Sequence, residues 1–539
     1  MVNFSKSCVY QIYIKSFKDS NGDGIGDLGG IIEKLDYIKE LGVDYIWITP
    51  FFRSPLNDNG YDVSDYRNID PVFGSMQDLE TLISEADKRG IGLMLDMVFN
   101  HTSTEHEWFQ KALSGDKKYM DYYYFVDGNP DSPPTNWESK FGGNAWEYVP
   151  QLKKWYLHLF DVTQADLNWN NPEVRAELKD VLKFWKNKGI KGFRFDVINL
   201  VSKPDKFEDD HEGDGRRFYT DGPRIHEFLK ELVQDSGISD MLTVGEMSST
   251  SIDNCIRYSN PAEKELSMCF SFHHLKVDYS NGNKWSLMKP DFKKLKELLV
   301  SWQVGMQDGG GWNAVFWCNH DQPRAVSRFG DDVKYGAESA KALAAVIHLM
   351  RGTPYIFQGE EFGMTNACFT SIDEYRDVES LNYYKIMLSN GVSESEALKI
   401  LAAKSRDNGR TPVQWNGDKN AGFTSGEPWI YPAKNYRSIN AELESASPDS
   451  ILDFYKKLIA LRKEYSVISD GEFIPVEETD DRLFVYKRAL ENEELYVICN
   501  LSSDEFDYNI NSDGELLLCN YESPGARLAP YEVRAYYKA

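Results

Sequence analysis

Several apolar runs in this sequence end in side chains capable of acid–base chemistry. IGLMLDMVF (91–99) carries Asp96 and leads into Asn100 and His101. GFRFDVI (192–198) carries Arg194 and Asp196, two residues apart and therefore on one face of an extended strand. MLTVGEM (241–247) ends with Glu246, and NAVFWCN (313–319) leads into His320 and Asp321. A single aspartate at a strand end is usually a turn or capping residue. Four such carboxylates with an arginine and two histidines exceed what turns and caps require. Three carboxylates around one pocket suit cleavage of a glycosidic bond. One ionised carboxylate attacks the anomeric carbon while a second carboxyl group protonates the leaving oxygen. Arg194 beside Asp196 supplies positive charge that would hold such a nucleophile in place.

These side chains can converge only if the elements carrying them share a rim. Besides the four runs above, VYQIYI (9–14), VDYIWITP (43–50), MCFSF (268–272) and PYIFQGEE (354–361) are nearly continuous in apolar residues. Such runs are expected of parallel strands covered by helices. Amphipathic stretches such as MQDLETLISEADKRG and EVRAELKDVLKFWKNKG lie between them and close on Gly or Lys. Eight strand-then-helix units predict an α/β fold, a (β/α)8 TIM barrel, whose strand carboxyl ends collect the chemistry at one rim. The barrel is expected over 1–101 and 170–465, with a Trp-, Tyr-, Asn- and Pro-rich subdomain inserted at 102–169 after the third strand. A second, partly helical insertion is expected at about 362–450, after the eighth strand. Beyond the helical ILDFYKKLIALRKEY (451–465), segments such as RLFVYKRA and ELYVICNL alternate with period two, so 466–539 reads as a C-terminal antiparallel β domain.

Composition narrows the partners. Sixty Lys and Arg against 85 Asp and Glu give a formal charge of −25, which argues against nucleic acid, whose phosphates need a basic footprint. Aromatic residues make up 14% of the chain and suit both a large core and the faces of sugars. The seven cysteines are odd in number, scattered and without metal-ligand spacing, which fits a reducing compartment. No signal-like segment and no apolar run of ~18 residues is present, so no membrane association, a cytoplasmic location and a monomer are the expectations.

At the level of motifs, GFRFDVIN, TVGEM, NHDQPR and DMVFNH resemble the four signature regions of the α-amylase family, glycoside hydrolase family 13. The resemblance implies Asp196 as nucleophile, Glu246 as acid/base and Asp321 as the carboxylate gripping the sugar 2- and 3-hydroxyls. It implies His101, His320 and Arg194 around the −1 subsite, with Phe141 and Gln164 as further substrate contacts. It also implies retention of anomeric configuration, hence the closer class of carboxylate separation, ~5–5.5 Å, and no cofactor in the chemistry. NDNGYDVSDY and RDNGRTPVQW resemble the stretches that close the pocket in exo-acting members. Asp62 and Arg410 would then clamp the distal hydroxyls and Tyr61 would stack on the ring. Val197, directly after the nucleophile, matches α-1,6-type members.

FDVTQADLNW, GDGRRFYTDGPR, GEMSSTS and FSFHHLKVDY resemble the trehalose-6-phosphate hydrolases of the family more than its dextran-type glucosidases. In a chain of charge −25, the basic residues Arg216, Arg217, His273, Lys276 and Lys284 are candidates for holding a phosphate. The implied substrate is a small phosphorylated disaccharide, α,α-trehalose 6-phosphate, split to glucose and glucose 6-phosphate. With the −1 end closed, the phosphorylated glucose is the leaving group. The alternative is an oligo-1,6-glucosidase acting on isomalto-oligosaccharides; a catalytically dead member is a distant third.

One stretch, KDSNGDGIGDLGG (18–30), fits two ligands at once. Its glycines have dinucleotide-loop spacing, but the preceding strand ends ten residues too early and the aspartates would repel a pyrophosphate. Asp19, Asn21, Asp23 and Asp27 alternate as in a calcium loop, with a backbone carbonyl at Ile25, yet the twelfth position is Gly30 instead of Glu. A structural calcium loop remote from the sugar, as in the oligo-1,6-glucosidase branch, is what the resemblance implies.

Overall fold

A computed structural model describes residues 4–477, 480–508 and 513–539 of the chain. The parts of the expected ranges that fall on 1–3, 478–479 and 509–512 lie outside the described residues. Eight strands close into a barrel: β1 (Val9–Ile12), β2 (Tyr45–Ile48), β3 (Gly92–Met97), β4 (Gly192–Phe195), β5 (Leu242–Met247), β6 (Met268–Ser271), β7 (Asn313–Val315) and β8 (Thr353–Phe357). Around the barrel each strand neighbours those before and after it in sequence, with β1 beside β8. The pairings are parallel, for example Arg194 of β4 opposite Asp96 of β3 and Val244 of β5. All eight apolar runs become strands, each shorter than the run, and most runs continue into the loop beyond the strand.

The helices follow from local signals. The helix α1 (Pro172–Lys188) starts on Asn171, whose side chain accepts the Glu173 amide, with Pro at its first position. It stops at Gly189, whose φ of 104° lets the chain turn away. Its buried stripe is Val174, Leu178, Val181, Leu182 and Trp185, at three- and four-residue spacing. The helix α2 (Ile451–Glu464) begins on Ser450 and buries Leu452, Tyr455, Leu458 and Ile459 in the same way.

The chain divides into two compact units, one built on residues 47–84 and 92–271, the other on the segments 3–46, 85–91 and 272–539. The first holds β3 to β6, with an aromatic-rich segment at 102–169 between β3 and β4. That segment holds a three-stranded antiparallel sheet (Phe125–Asp127, Lys154–Leu157, Trp146–Val149) over a core of Trp137, Trp146, Trp155 and Tyr219. In the second unit, helices Val378–Ser389 and Glu394–Lys404 pack around Trp285, Phe369, Leu401 and Ile430.

The second unit also carries an antiparallel sheet of β9 (Glu472–Pro475), β10 (Leu483–Leu490), β11 (Glu493–Asn500), β12 (Glu515–Cys519) and β13 (Val533–Lys538), in the order β9-β10-β11-β13-β12. Buried Arg488 of β10 donates to the carbonyls of Leu349, Ile468 and Gly471, fastening this sheet to the chain before β8.

Candidate functional site

In the first unit the strand ends converge on Arg194. Its side chain is 1% exposed, and one terminal nitrogen lies 2.6 Å from Asp96 and 2.7 Å from Asp196, while the other contacts Glu246. The ladder puts Arg194 directly opposite Asp96, and Asp196 follows two residues later on the same face. The guanidinium is flanked by the rings of Trp47 at 5.0 Å and Tyr61 at 5.8 Å. Both rings donate to the second Asp96 oxygen, at 3.1 and 2.9 Å. Burial pushes the Asp96 carboxyl above its usual range and Arg194 pulls it back. Asp96 thus anchors the arginine, and the arginine holds Asp196 and Glu246 side by side on its two terminal nitrogens.

Val197 adds a constraint that no periodicity reveals. Its φ is 35°, in the left-handed region, and it opens the 3-10 turn Ile198–Leu200. For a β-branched residue this conformation costs on the order of 1–3 kcal/mol. The strain sits directly after Asp196.

Tyr61, His101, Gln164 and Asp62 gather in the same unit. His101 Nε2 is 3.0 Å from the Tyr61 carbonyl and 3.2 Å from Gln164 Nε2. Its ring packs on Phe160, which packs on Phe141. Burial, working against nearby Asp166 and Asp196, pushes the His101 imidazole below its usual range. Asp62 is fully buried and accepts from Ser54 Oγ at 2.8 Å and from the amides of Asn57 and Asp58. Burial pushes its carboxyl up against those hydrogen bonds.

Behind His101 lies a residue that sequence reasoning missed. Lys203 and Asp166 are both 0% exposed and 2.6 Å apart. The ammonium also donates to Asn100 Oδ1 at 2.6 Å and to the Leu200 carbonyl at 2.8 Å. Asn100 in turn donates to Asp166 and lies 3.2 Å from His101 Nδ1. One buried cation therefore ties the turn after β4 to the end of β3 and to the inserted segment. Its sequence setting, VSKPD, carries no signal of this.

In the second unit a cluster forms on Asp321. Arg410 lies 2.7 Å and Arg406 3.3 Å from Asp321 Oδ1, and His320 Nε2 lies 3.5 Å from Oδ2. Against burial, which alone would raise it, His320 and the two arginines hold the Asp321 carboxyl well below the usual carboxylate range. Gln11 Nε2 faces His320 Nδ1 at 2.9 Å, which leaves Nε2, the nitrogen nearer Asp321, to carry the proton. Tyr13 stacks on the His320 ring, 6.1 Å away and 9° from parallel. Arg406 is clamped from behind by buried Asp377, at 2.6 Å. The motif RDNGRTPVQW points to Arg410, whereas nothing in it signals that Arg406, its first residue, also reaches Asp321.

Of the five basic candidates, Arg216 and Arg217 lie in the first unit and are spent locally. Arg216 pairs with Asp214, and Arg217 with Asp210 at 3.0 Å and Glu212 at 2.8 Å. They line an open surface hollow in which those three carboxylates outnumber them. In the second unit His273 packs 5.0 Å from the Trp302 ring, and burial lowers its imidazole from the usual range. Lys276 is exposed. Lys284 pairs with Glu379 at 2.7 Å, and Glu379 lies 3.4 Å from Arg406, so this lysine is tied to the Asp321 cluster.

The loop at 18–30 is knitted by its own side chains. Asp19 accepts from the amides of Asn21, Gly22 and Gly24 and from Thr424 Oγ1, so both its oxygens are saturated. Asp27 accepts from Ser20 and caps the following helix through the Gly30 amide at 2.6 Å. Among the described residues no three acidic, histidine or cysteine side chains gather as a metal-binding group. A cation in this loop would compete with the Gly24 amide and Thr424 for Asp19. Gly24 has a φ of 93°, and a Cβ there would fall on the Glu427 carbonyl, so this glycine serves chain packing and not a phosphate.

No helix among the described residues is long and apolar enough to cross a membrane. Comparison with known proteins agrees with this architecture. The model of the alpha amylase catalytic domain matches residues 11–471. The trehalose-6-phosphate hydrolase of Bacillus subtilis (strain 168) is 54% identical over 547 residues, covering 99% of this chain and 98% of that protein. The oligo-1,6-glucosidase of Parageobacillus thermoglucosidasius is 47% identical over 553 residues, covering 99% and 98%. The crystal structure of Bacillus licheniformis trehalose-6-phosphate hydrolase superposes with a TM-score of 0.95 at 55% identity, covering 99% of both chains.

Proposed function

The chain belongs to the alpha-amylase family of glycoside hydrolases, and we propose that within it the protein is a retaining, exo-acting hydrolase that splits α,α-trehalose 6-phosphate into glucose and glucose 6-phosphate. The carrying observation is the shared guanidinium of Arg194, which binds Asp196 and Glu246 through its two terminal nitrogens. Two carboxyl groups held as neighbours suit double displacement.

In the first step an Asp196 oxygen bonds to the anomeric carbon as the bond to the glycosidic oxygen breaks. Glu246 gives its proton to that oxygen, and glucose 6-phosphate leaves. In the second step Glu246 takes a proton from water, whose oxygen bonds to the anomeric carbon from the face just vacated. Asp196 is released, and two inversions give retention. Asp321, kept ionised by Arg406 and Arg410, accepts from the sugar 2- and 3-hydroxyls. His101, His320, Tyr61, Asp62, Arg410, Phe141 and Gln164 shape the −1 subsite. Water is the only co-reactant.

Substrate choice within the family is supported by the 54% relative over the 47% one. Oligo-1,6-glucosidase activity is the second reading, favoured by that same 47% relative. Comparing kcat/KM on trehalose 6-phosphate and isomaltose decides between them, and preference for the neutral sugar overturns the first. The proposal includes a cytoplasmic location, since the substrate is a phosphorylated sugar, and a monomeric chain. It divides the chain into a barrel of 1–101 and 170–465, an insertion at 102–169 and a terminal domain at 466–539. It also includes a calcium ion in the 19–27 loop, supported by the alternating oxygen donors and by the carbonyl of Ile25.

A further inference from the structure

Glu379 occupies an unusual place in the second unit. Its Oε2 lies 2.7 Å from Lys284 Nζ and 3.4 Å from Arg406 Nε. Lys284 is 20% exposed and Glu379 14% exposed at their side chains, so the pair is partly shielded and still reachable from solvent. Arg406 is the pivot. One face of its guanidinium is fixed by Asp377, and its NH1 reaches Asp321 at 3.3 Å. A continuous chain of charges therefore runs Asp321, Arg406, Glu379, Lys284. Its first member is the proposed grip on the sugar in the −1 subsite, and its last is an ammonium braced over the Trp285 ring at 4.8 Å.

We propose that Lys284 and Arg406 form the acceptor for the substrate's phosphate and that Glu379 is its resident counter-ion, a carboxylate which the incoming phosphate displaces from Lys284. This rests on the proposed function. A carboxylate and a phosphate offer the same acceptor geometry to Lys and Arg, which is why one can hold the place of the other. With Glu379 in place the cations are neutralised, so a neutral sugar gains little from them. A phosphate dianion outbids a single carboxylate for the same two cations. The exchange converts a rim ion pair into a selectivity device: binding is favoured only for a ligand carrying more negative charge than the side chain it replaces. Arg216 and Arg217 pair with Asp210, Glu212 and Asp214, whereas Lys284 is joined through Glu379 to Arg406 and Asp321.

The test measures two quantities for the wild type and for Lys284→Met, Lys284→Arg and Glu379→Gln. One is the ratio of kcat/KM on trehalose 6-phosphate to that on a nitrophenyl α-glucoside. The other is the inhibition constant of glucose 6-phosphate against the aryl glucoside. In Lys284→Met the ratio falls at least tenfold, mainly through KM, and glucose 6-phosphate inhibits correspondingly more weakly. Lys284→Arg restores most of both. In Glu379→Gln the ratio rises at least threefold, and its dependence on salt steepens. An unchanged inhibition constant in Lys284→Met overturns the phosphate assignment, and a ratio that falls in Glu379→Gln overturns the counter-ion role. If wild-type enzyme prefers isomaltose, the proposed function fails separately; the inhibition constants still decide for or against the acceptor.

Discussion

Replacing Lys203 with methionine removes a buried cation and leaves its partner behind. The ammonium makes three short contacts, to Asp166, Asn100 and the Leu200 carbonyl, and both members of the ion pair are fully buried. Stranding one partner of such a pair costs on the order of 3–5 kcal/mol. Asp166 keeps the Asn100 side-chain amide at 2.9 Å and the Leu159 amide at 2.8 Å, which argues for the lower end, about 3 kcal/mol. For a cooperative unit of about 150–250 residues, each kcal/mol moves Tm by roughly 2–4 °C, so the variant should melt about 6–12 °C lower in scanning calorimetry. Adding Asp166→Asn removes the stranded charge and should recover at least half of the loss. The lost anchor on Asn100 also frees His101, so KM should rise in the single variant. A Lys203→Met protein melting within about 2 °C of wild type, or a double variant no more stable than the single, would falsify the reasoning.

Glu246→Gln should lower kcat/KM on the natural disaccharide by about 10²–10⁴-fold, and by much less on a nitrophenyl glucoside, whose leaving group needs no proton; equal losses on both would remove Glu246 from the acid role. Asp321 has its carboxyl held below the usual range, so its charged contacts stabilise the fold above the ordinary carboxylate pKa of about 4 and fade as pH falls through its lowered value. The Tm gap between wild type and Asp321→Asn should therefore be constant from pH 7 to 5 and narrow below about pH 4; a gap that widens on acidification contradicts this. Chelation followed by dialysis should lower Tm, and added calcium should restore it; an unmoved Tm would mean that the hydrogen bonds within the 19–27 loop suffice without an ion.

The barrel was legible because its determinants are local. Nearly continuous apolar runs of five to nine residues must be buried on both faces, and amphipathic stripes at helical spacing lie between them, as in EVRAELKDVLKFWKNKG. The candidate carboxylates stood out for a related reason: a charged residue at the end of an apolar strand contrasts with its neighbours, and Arg194 and Asp196 share a face by simple alternation. What the sequence could not supply is which charges meet. Arg194 and Asp96 are 98 residues apart, Lys203 and Asn100 103, and Arg406 and Asp321 85, and their partners are chosen by how strands and loops fold back together. Five basic residues read alike in one dimension. Only the tertiary structure shows two neutralised within their own loop and one joined through Glu379 to Asp321, because a charge's effect depends on its distance from other charges and from water, and neither distance is written along the chain.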